Sequence, residues 1–550
     1  MTRNRICVLF TGAMLLLGVG ASATAHAQTY TDLYNLGSKS DDPTDPGWLG
    51  LFAQGRDGNL YSTSQTGGKG FGTVFQLSPA GKMTVLYSFQ NKKDGAFPKS
   101  GLTLGTDGSL YGTTSAGGSV GYGTVFKITT GGSFKVLHNF NGNTEGAPAD
   151  TPPIQGIDGN FYGTVSDGGN AVFGTVYKMT PSGKMTVLYT FGGMVRYPAA
   201  LILGTDSNFY GTFLGGSGAN VDGGVFKITP HGKFTVLHSF DGTDGQNPMG
   251  AIIQATDGNF YGTTREGGSS SDGVVYKMTP AGAVTDLRSF ANDGNGFAPF
   301  AGLAQATDGK LYGVTTTNPG TSYGVVFQIT STGTYSDLVL FTNTTGKFPG
   351  ANPQVALFQH TNGTLFGDTY GGGSGKLCFC GVLYSLNMGL GPFVSFVGPD
   401  FSGKVGKTIE ILGQGFTGTT KVLFHGVPAT FAVVSETYLT AVVPAGATTG
   451  SVTVKTPDGT LTSNKIFRVT PFIQSFSPPS GPVGTPVMIT GTSFTGAKKV
   501  TFGGVKATSF TVDSDTQVTA TVPTGAVTGK IAITTPGGTA VSATDFTVTQ

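Results

Sequence analysis

The chain has 550 residues, with 91 Gly, 32 Lys+Arg and 30 Asp+Glu, and its charged share of 11% is under half the roughly 25% of an average globular protein. A charge so sparse and so balanced argues against nucleic acid as partner, and the length implies several domains.

Residues 2–27 hold Arg3 and Arg5, an apolar run from Cys7 to Val19 and the small-residue ending Ala25-His26-Ala27. That pattern predicts a secretory leader cleaved before Gln28. The run is shorter than the roughly 20 residues a membrane span needs, and no later stretch is long and apolar enough to span. Removing residues 1–27 deletes two of the 32 Lys+Arg and no acid, leaving 30 of each and a neutral chain.

Between about Trp48 and Met388 one pattern recurs seven times. The aromatic after each turn falls at Tyr61, Tyr111, Tyr162, Tyr210, Tyr261, Tyr312 and Phe366, spaced by 50, 51, 48, 51, 51 and 54 residues. A period near 50 marks a propeller or an array. Each repeat reads as four short strands: in the second, GLTLGT, SLYGTT, GTVFKITT and SFKVLHNF are joined by Asp107-Gly108, a Gly-rich loop and Gly131-Gly132. Asp-Gly supplies the positive φ that a tight hairpin needs. The third strand alternates, as in Phe126-Lys127-Ile128, and period two means strand. The segment Tyr30–Gly37 matches a fourth strand, whereas the seventh repeat runs out after three. A displaced fourth strand is how propellers close, and closure removes exposed sheet edges. The expected fold is therefore all-β, a seven-bladed β-propeller over 28–390 closed by an N-terminal strand.

The pattern DGNFYGTT, GG, GTVFKIT or GVVYKMT, then TVLYSF resembles the GloVer tandem repeats of secreted bacterial proteins, over roughly Tyr30 to Met388. The resemblance implies an exported protein, often surface-linked, and no defined activity. From Pro392 a second repeat begins, with Phe393, Phe416, Phe424, Pro444 and Phe467 answered by Phe472, Phe494, Phe502, Pro523 and Phe546. Both copies resemble IPT/TIG domains, which implies two immunoglobulin-like β-sandwiches at 391–470 and 471–550, serving as spacers or protein contacts.

The sequence contains no HExxH or Walker loop, so no catalytic residue is assigned. The single Trp48 argues against tryptophan-rich quinone propellers. Past the leader the histidines are His138, His231, His238, His360 and His425, with no two placed to share a metal. His138 and His238 stand where other repeats carry Tyr87, Tyr189 and Arg288, as variants of one packing position. Asp57, Asp107, Asp158, Asp206, Asp257 and Asp308 read as turn residues. A second acidic set at Asp94, Glu145, Asp241, Asp244 and Asp293 lies in loops whose oxygen donors also admit calcium; no other cofactor is indicated. Cys378 and Cys380 are close enough for a strained disulfide in an oxidising compartment.

The turns between first and second and between third and fourth strands are short and uniform, so one face of the ring is regular. The other face gathers loops of varied length and charge, and binding residues usually lie on such loops. Lys69, Phe71, Tyr122, Phe173, Arg265, Glu266, Tyr323 and Tyr370 are the candidate contacts. The sequence thus reads as a secreted or cell-surface binding or adhesion protein whose partner is an extracellular glycan or protein. Two other readings stay open, an exported carbohydrate-active lyase or hydrolase with its site on the propeller, and a structural surface component.

Overall fold

The computed structural model describes residues 28–47, 52–168, 173–193, 195–215, 222–291, 296–317, 323–398 and 401–550. The leader expected at 1–27 lies outside them, as do Trp48 and Asp293. Every regular element among the described residues is a β-strand, and no helix is long and apolar enough to cross a membrane.

Seven antiparallel sheets lie between Thr29 and Asn387, six of four strands and one of five. In the second repeat Thr103–Leu104, Leu110–Thr114, Thr124–Ile128 and Phe134–Asn139 pair in sequence order. The turn glycine Gly108 has φ +77°, the left-handed conformation such a hairpin demands. Phe126 and Ile128 are fully buried, and so is Val125 on the opposite face. Both faces are covered because neighbouring sheets share cores: Phe126 packs with Tyr61 and Val74 of the first repeat, Val125 with Phe161 and Tyr177 of the third.

The glycine of the FYG motif has a steric cause. A Cβ at Gly112 would stand 2.5 Å from the Phe126 ring and 2.8 Å from Leu102. The third-strand aromatic therefore crosses the second strand at this glycine to reach the first strand, as glycine in a strand often permits.

The N-terminal strand Thr29–Asn35 pairs antiparallel with Val382–Asn387 of the seventh repeat. Its register slips between Asp32 and Tyr34, matching the bulge between Val136 and His138 in the second repeat. Leu36 is fully buried in a core that joins Leu383 and Phe366 of the seventh repeat to Leu60 and Phe75 of the first. Gln54 of the first repeat donates to Thr361 Oγ1 and accepts from Thr361 N, at 2.8 and 3.1 Å. The same glutamine-to-turn bond links successive repeats elsewhere, as in Gln155 with Thr106 N and Gln305 with Thr256 N, both 2.9 Å.

Two further units follow, each with its own buried core. Phe416, Phe424 and Phe467 centre the first, and Phe494, Phe502 and Phe546 the second. Each unit packs mainly antiparallel strands, with one parallel pair apiece, a sandwich arrangement.

Candidate functional site

The face bearing the Asp-Gly turns is built from side-chain locks. Asp158 accepts from Tyr162 Oη at 2.8 Å and pairs with Lys178 Nζ at 2.8 Å; Asp257 does the same with Tyr261 at 2.7 Å and Lys277 at 3.2 Å. Each ammonium also lies over the tyrosine ring, at 5.4 and 5.5 Å. The turn aspartates thus fasten three strands, a role beyond the turn chemistry read from sequence. The signal was present in the spacing: the tyrosine always follows its aspartate by four residues, and a third-strand lysine or glutamine faces both.

Partial burial opposes ionisation of Asp158 and Asp257, but hydrogen bonds from Lys178, Asn160 and Tyr162 outweigh it at Asp158, and those from Asn259, Tyr261 and Lys277 at Asp257. Both carboxyls fall to about 2. A depressed folded-state value gives stability that is complete above the unfolded carboxylate range, near pH 4, and lost as pH falls through about 2. The melting temperature is expected to drop by several degrees between pH 4 and pH 2. In the double variant Asp158→Asn, Asp257→Asn that part of the slope should flatten; an identical slope would refute the assignment.

This face is occupied by the first sandwich. Arg56 pairs with Glu410 at 2.6 Å and lies 4.8 Å over the Tyr438 ring. Thr437 Oγ1 donates to Arg56 O at 2.7 Å, Gln414 Nε2 to Thr361 Oγ1 at 2.8 Å, and Phe393 N to Thr361 O at 3.0 Å.

The opposite, loop face holds the residues singled out from sequence, one or two in every repeat except the fourth. Lys69 and Tyr122 are exposed, Tyr122 by 47%. Phe71 is half-buried, packed on Phe97 at 5.8 Å. Phe173 is capped by the Arg196 guanidinium at 3.9 Å. Arg265 and Glu266 pair at 4.0 Å, and Glu266 also accepts from Asn247 Nδ2 at 3.0 Å. Tyr323 packs against the core shared by the sixth and seventh repeats. Tyr370 is half-buried, and burial raises its phenol pKa. Apart from Arg265 with Glu266, these residues are spread around the face and do not converge.

What does converge is a set of residues leading into the first strands. Lys99, Asp150, Tyr197, Met249 and Phe300 line a cavity of about 150 Å³, with Lys99 and Asp150 3.4 Å apart. The backbone there is unusual: Phe97, Tyr197, Asn247, Ala298 and Asn352, each followed by proline, all have φ between 53° and 56°. Phe97 shows the use of this strained conformation, its N–H bonding Phe71 O at 2.9 Å while its carbonyl accepts from Ser115 N at 3.2 Å. The end of one repeat's loop between second and third strands is thereby tied to the start of the same loop in the next repeat. The repeated X-Pro step was the sequence signal for this cluster.

The acidic loop residues are held by the protein itself. Tyr87 Oη bonds Asp94 at 3.2 Å, His138 Nε2 bonds Glu145 at 3.0 Å and His238 Nε2 bonds Asp244 at 2.6 Å. The fourth-strand position read as packing alone therefore also staples the next loop. Among the described residues no three His, Cys, Asp or Glu side chains converge as a metal site.

Cys378 and Cys380 are joined as a disulfide, with Cα atoms 5.2 Å apart. The bridge abuts Gly37, whose carbonyl accepts from Leu377 N at 3.0 Å, and the flanking Leu377 and Phe379 are 65% and 64% exposed. Thiol titration of the unfolded chain beginning at Gln28 is expected to find no free cysteine; two reactive thiols would refute the bond.

A family model described as the Gloeobacter/Verrucomicrobia repeat matches residues 18–221 and 197–424. The chain belongs to this repeat family. The IPT/TIG domain model matches residues 392–468 and 471–548, the two sandwiches. No curated protein sequence matches the chain. Among solved structures, the surface glycan-binding protein PbSGBP-B from Prevotella bryantii is similar at 20% identity over 26% of this chain and 38% of its own, with a TM-score of 0.21. An oligogalacturonate lyase in complex with manganese is similar at 13% identity over 66% of this chain and 96% of its own, TM-score 0.42. SGBP-B from a xyloglucan utilization locus in Bacteroides uniformis shares 25% identity over 28% and 48%, TM-score 0.15. The chain thus spans less than half the length of either glycan-binding protein, and scores this low carry no functional inference. In this Gloeobacter/Verrucomicrobia repeat protein, the first IPT/TIG domain engages the Asp-Gly face of the repeat sheets.

Proposed function

We propose that this chain is a secreted or cell-surface binding protein, exported by its leader, whose seven repeat sheets close into a seven-bladed β-propeller. Closure is supported by the N-terminal strand on the seventh sheet, the core shared by the seventh and first repeats, and the Gln54–Thr361 bonds that continue the link between repeats. The loop face takes a carbohydrate or protein ligand, and the IPT/TIG domains act as spacers or protein contacts.

The observation behind this reading is one-sided occupancy. The first IPT/TIG domain engages the Asp-Gly face through Arg56 and Thr361, whereas the loop side presents exposed rings at Tyr122, Tyr197 and Phe379. Exposed rings on clamped loops offer flat apolar surface with little conformational freedom to lose, as sugar faces require.

A glycan array probed with the chain from Gln28 onward tests the reading. With a captured glycan, Tyr122→Ala, Tyr197→Ala or Phe379→Ala at the contact is expected to weaken binding about 3- to 10-fold each, the scale of one aromatic contact. Asp257→Asn on the covered face should change stability alone. Glycan binding that survives all three loop variants would place the ligand elsewhere.

A further inference from the structure

The first strands of the repeats are more apolar than a wall facing water needs. Leu102, Leu201, Ile252 and Leu303 are buried within the sheets, while their alternates Thr103, Ile202 and Ile253 remain partly exposed. These alternates, with Leu104 and Ile154, line a cavity of about 340 Å³, at the lower end of the roughly 300–1,000 Å³ of small-ligand pockets. Its remaining boundary comes from the first IPT/TIG domain, through Gly398, Phe401 and Lys465.

Two polar features interrupt this apolar lining. The Lys465 ammonium sits 4.5 Å from the centre of the Phe401 ring, and no described carboxylate pairs with it or lines the cavity. Lys465 is exposed, and the protein atoms crowded near its ammonium lower its pKa by desolvation. Elsewhere in the wall, the buried Gln354 Oε1 has no hydrogen-bond donor. Unsatisfied buried polar atoms are rare enough to need a cause, and an ammonium at the edge of an apolar wall is a natural partner for an anion.

The sandwich fold is not that cause. In the second IPT/TIG domain the matching Ser542 Oγ bonds Thr544 O, as Ser463 Oγ bonds Lys465 O, so threonine fills the lysine's place. Gly403 and Gly406 align with Gly481 and Gly484, which puts Pro479 opposite Phe401. The lysine and phenylalanine occur only in the copy that faces the cavity.

We propose that this cavity binds a small carboxylic acid with a hydrocarbon body, its carboxylate on Lys465 Nζ beside Phe401 and its apolar part between the first strands, independently of any ligand on the loop face. Gln354 Oε1 is an acceptor for a hydroxyl or amide N–H carried on such a body. Among the described residues the walls contain few rings and no acidic side chain, which suits hydrocarbon better than a sugar and favours an anion over a cation.

Isothermal titration of the chain from Gln28 with octanoate, octanol and glucuronate tests the site. Octanoate is expected to bind one to one, and glucuronate, equally charged but hydrophilic, far more weakly. Lys465→Thr, the residue of the sister domain, should weaken octanoate roughly 10- to 100-fold, the scale of one charge-assisted hydrogen bond, and leave octanol nearly unchanged. The same variant should melt close to the parent temperature, because Lys465 is exposed and pairs with no described carboxylate. Absent saturable octanoate binding, equal affinity for the Lys465→Thr protein, glucuronate binding as tightly as octanoate, or a marked loss of stability in the variant would each overturn the proposal.

Discussion

Deleting residues 28–37 is expected to cause the largest loss of stability of any short truncation in the repeat region. Leu36 is fully buried between the first and seventh repeats. Tyr30 stacks on Tyr384 at 5.4 Å and donates from Oη to Pro349 O at 2.7 Å. Burying large apolar side chains contributes about 1.5–3 kcal/mol each. Losing Leu36 together with the rings of Tyr30 and Tyr34 therefore costs on the order of 5 kcal/mol, comparable with the whole stability of many domains, about 5–15 kcal/mol. The strand Val382–Asn387 would also be left with an unpaired edge, a template for aggregation. Chemical denaturation and light scattering on chains beginning at Gln28 and at Ser38 measure both effects. Should the shorter chain fail to fold, Leu36→Ala supplies a graded test, with about 2–5 kcal/mol expected for a buried leucine. An unchanged denaturation midpoint with a monodisperse product would show that the N-terminal strand does not hold the seventh repeat sheet to the first.

The repeat could be read from sequence because its determinants are local. An Asp-Gly turn, a period-two third strand and a 50-residue spacing each follow from short stretches, and the displaced fourth strand was visible because Leu33 and Leu36 match Leu86 and Phe89. Even the bulge at Asp32 and Tyr34 keeps the family pattern. Side-chain partners were less accessible. His138 looked like a packing variant of Tyr87, yet both reach an acid in the following loop, a contact that depends on how that loop folds back.

The candidate site was legible only as a face. Exposure among the chosen loop residues is decided by ring packing that spacing does not encode, so Phe71 and Tyr323 turn toward the core while Tyr122 stays out. Phe379 went unremarked because hydrophobic residues beside cysteines read as buried; the bridge between its two neighbours, set against Gly37, leaves it outside. The cavity at the first strands was least accessible of all. Its boundary combines first-strand segments of six repeats with Lys465, which lies far away in sequence within a domain read as a spacer.

Replacing Asp368 with threonine is expected to stabilise the protein at neutral pH. The position follows the FYG glycine, where Thr113, Thr164, Thr212 and Thr263 stand in other repeats. Those hydroxyls donate to first-strand carbonyls of the next repeat, Thr164 to Ala199 O and Thr263 to Ala301 O, both at 2.7 Å. Asp368 is 2% exposed, and burial raises its pKa well above the ordinary carboxylate value. Only a protonated carboxyl can donate as threonine does. The linkage has a definite sign: near pH 4 and below, folded and unfolded chains both hold the proton, whereas above pH 4 only the folded chain retains it, so stability declines as pH rises. Asp368→Thr removes that penalty. At pH 7 a gain on the order of 2 kcal/mol is expected from eliminating a buried ionisable group, with little or no gain at pH 4. Asp368→Asn, nearly identical in shape and never charged, should share the pH dependence and separate charge from packing. Thermal melts of the three proteins at pH 4 and pH 7 decide the matter: destabilisation by both variants at pH 7 would show that the carboxylate is held ionised by a partner, and the buried acid would then be a functional group of the repeat sheets rather than a strained substitute for threonine.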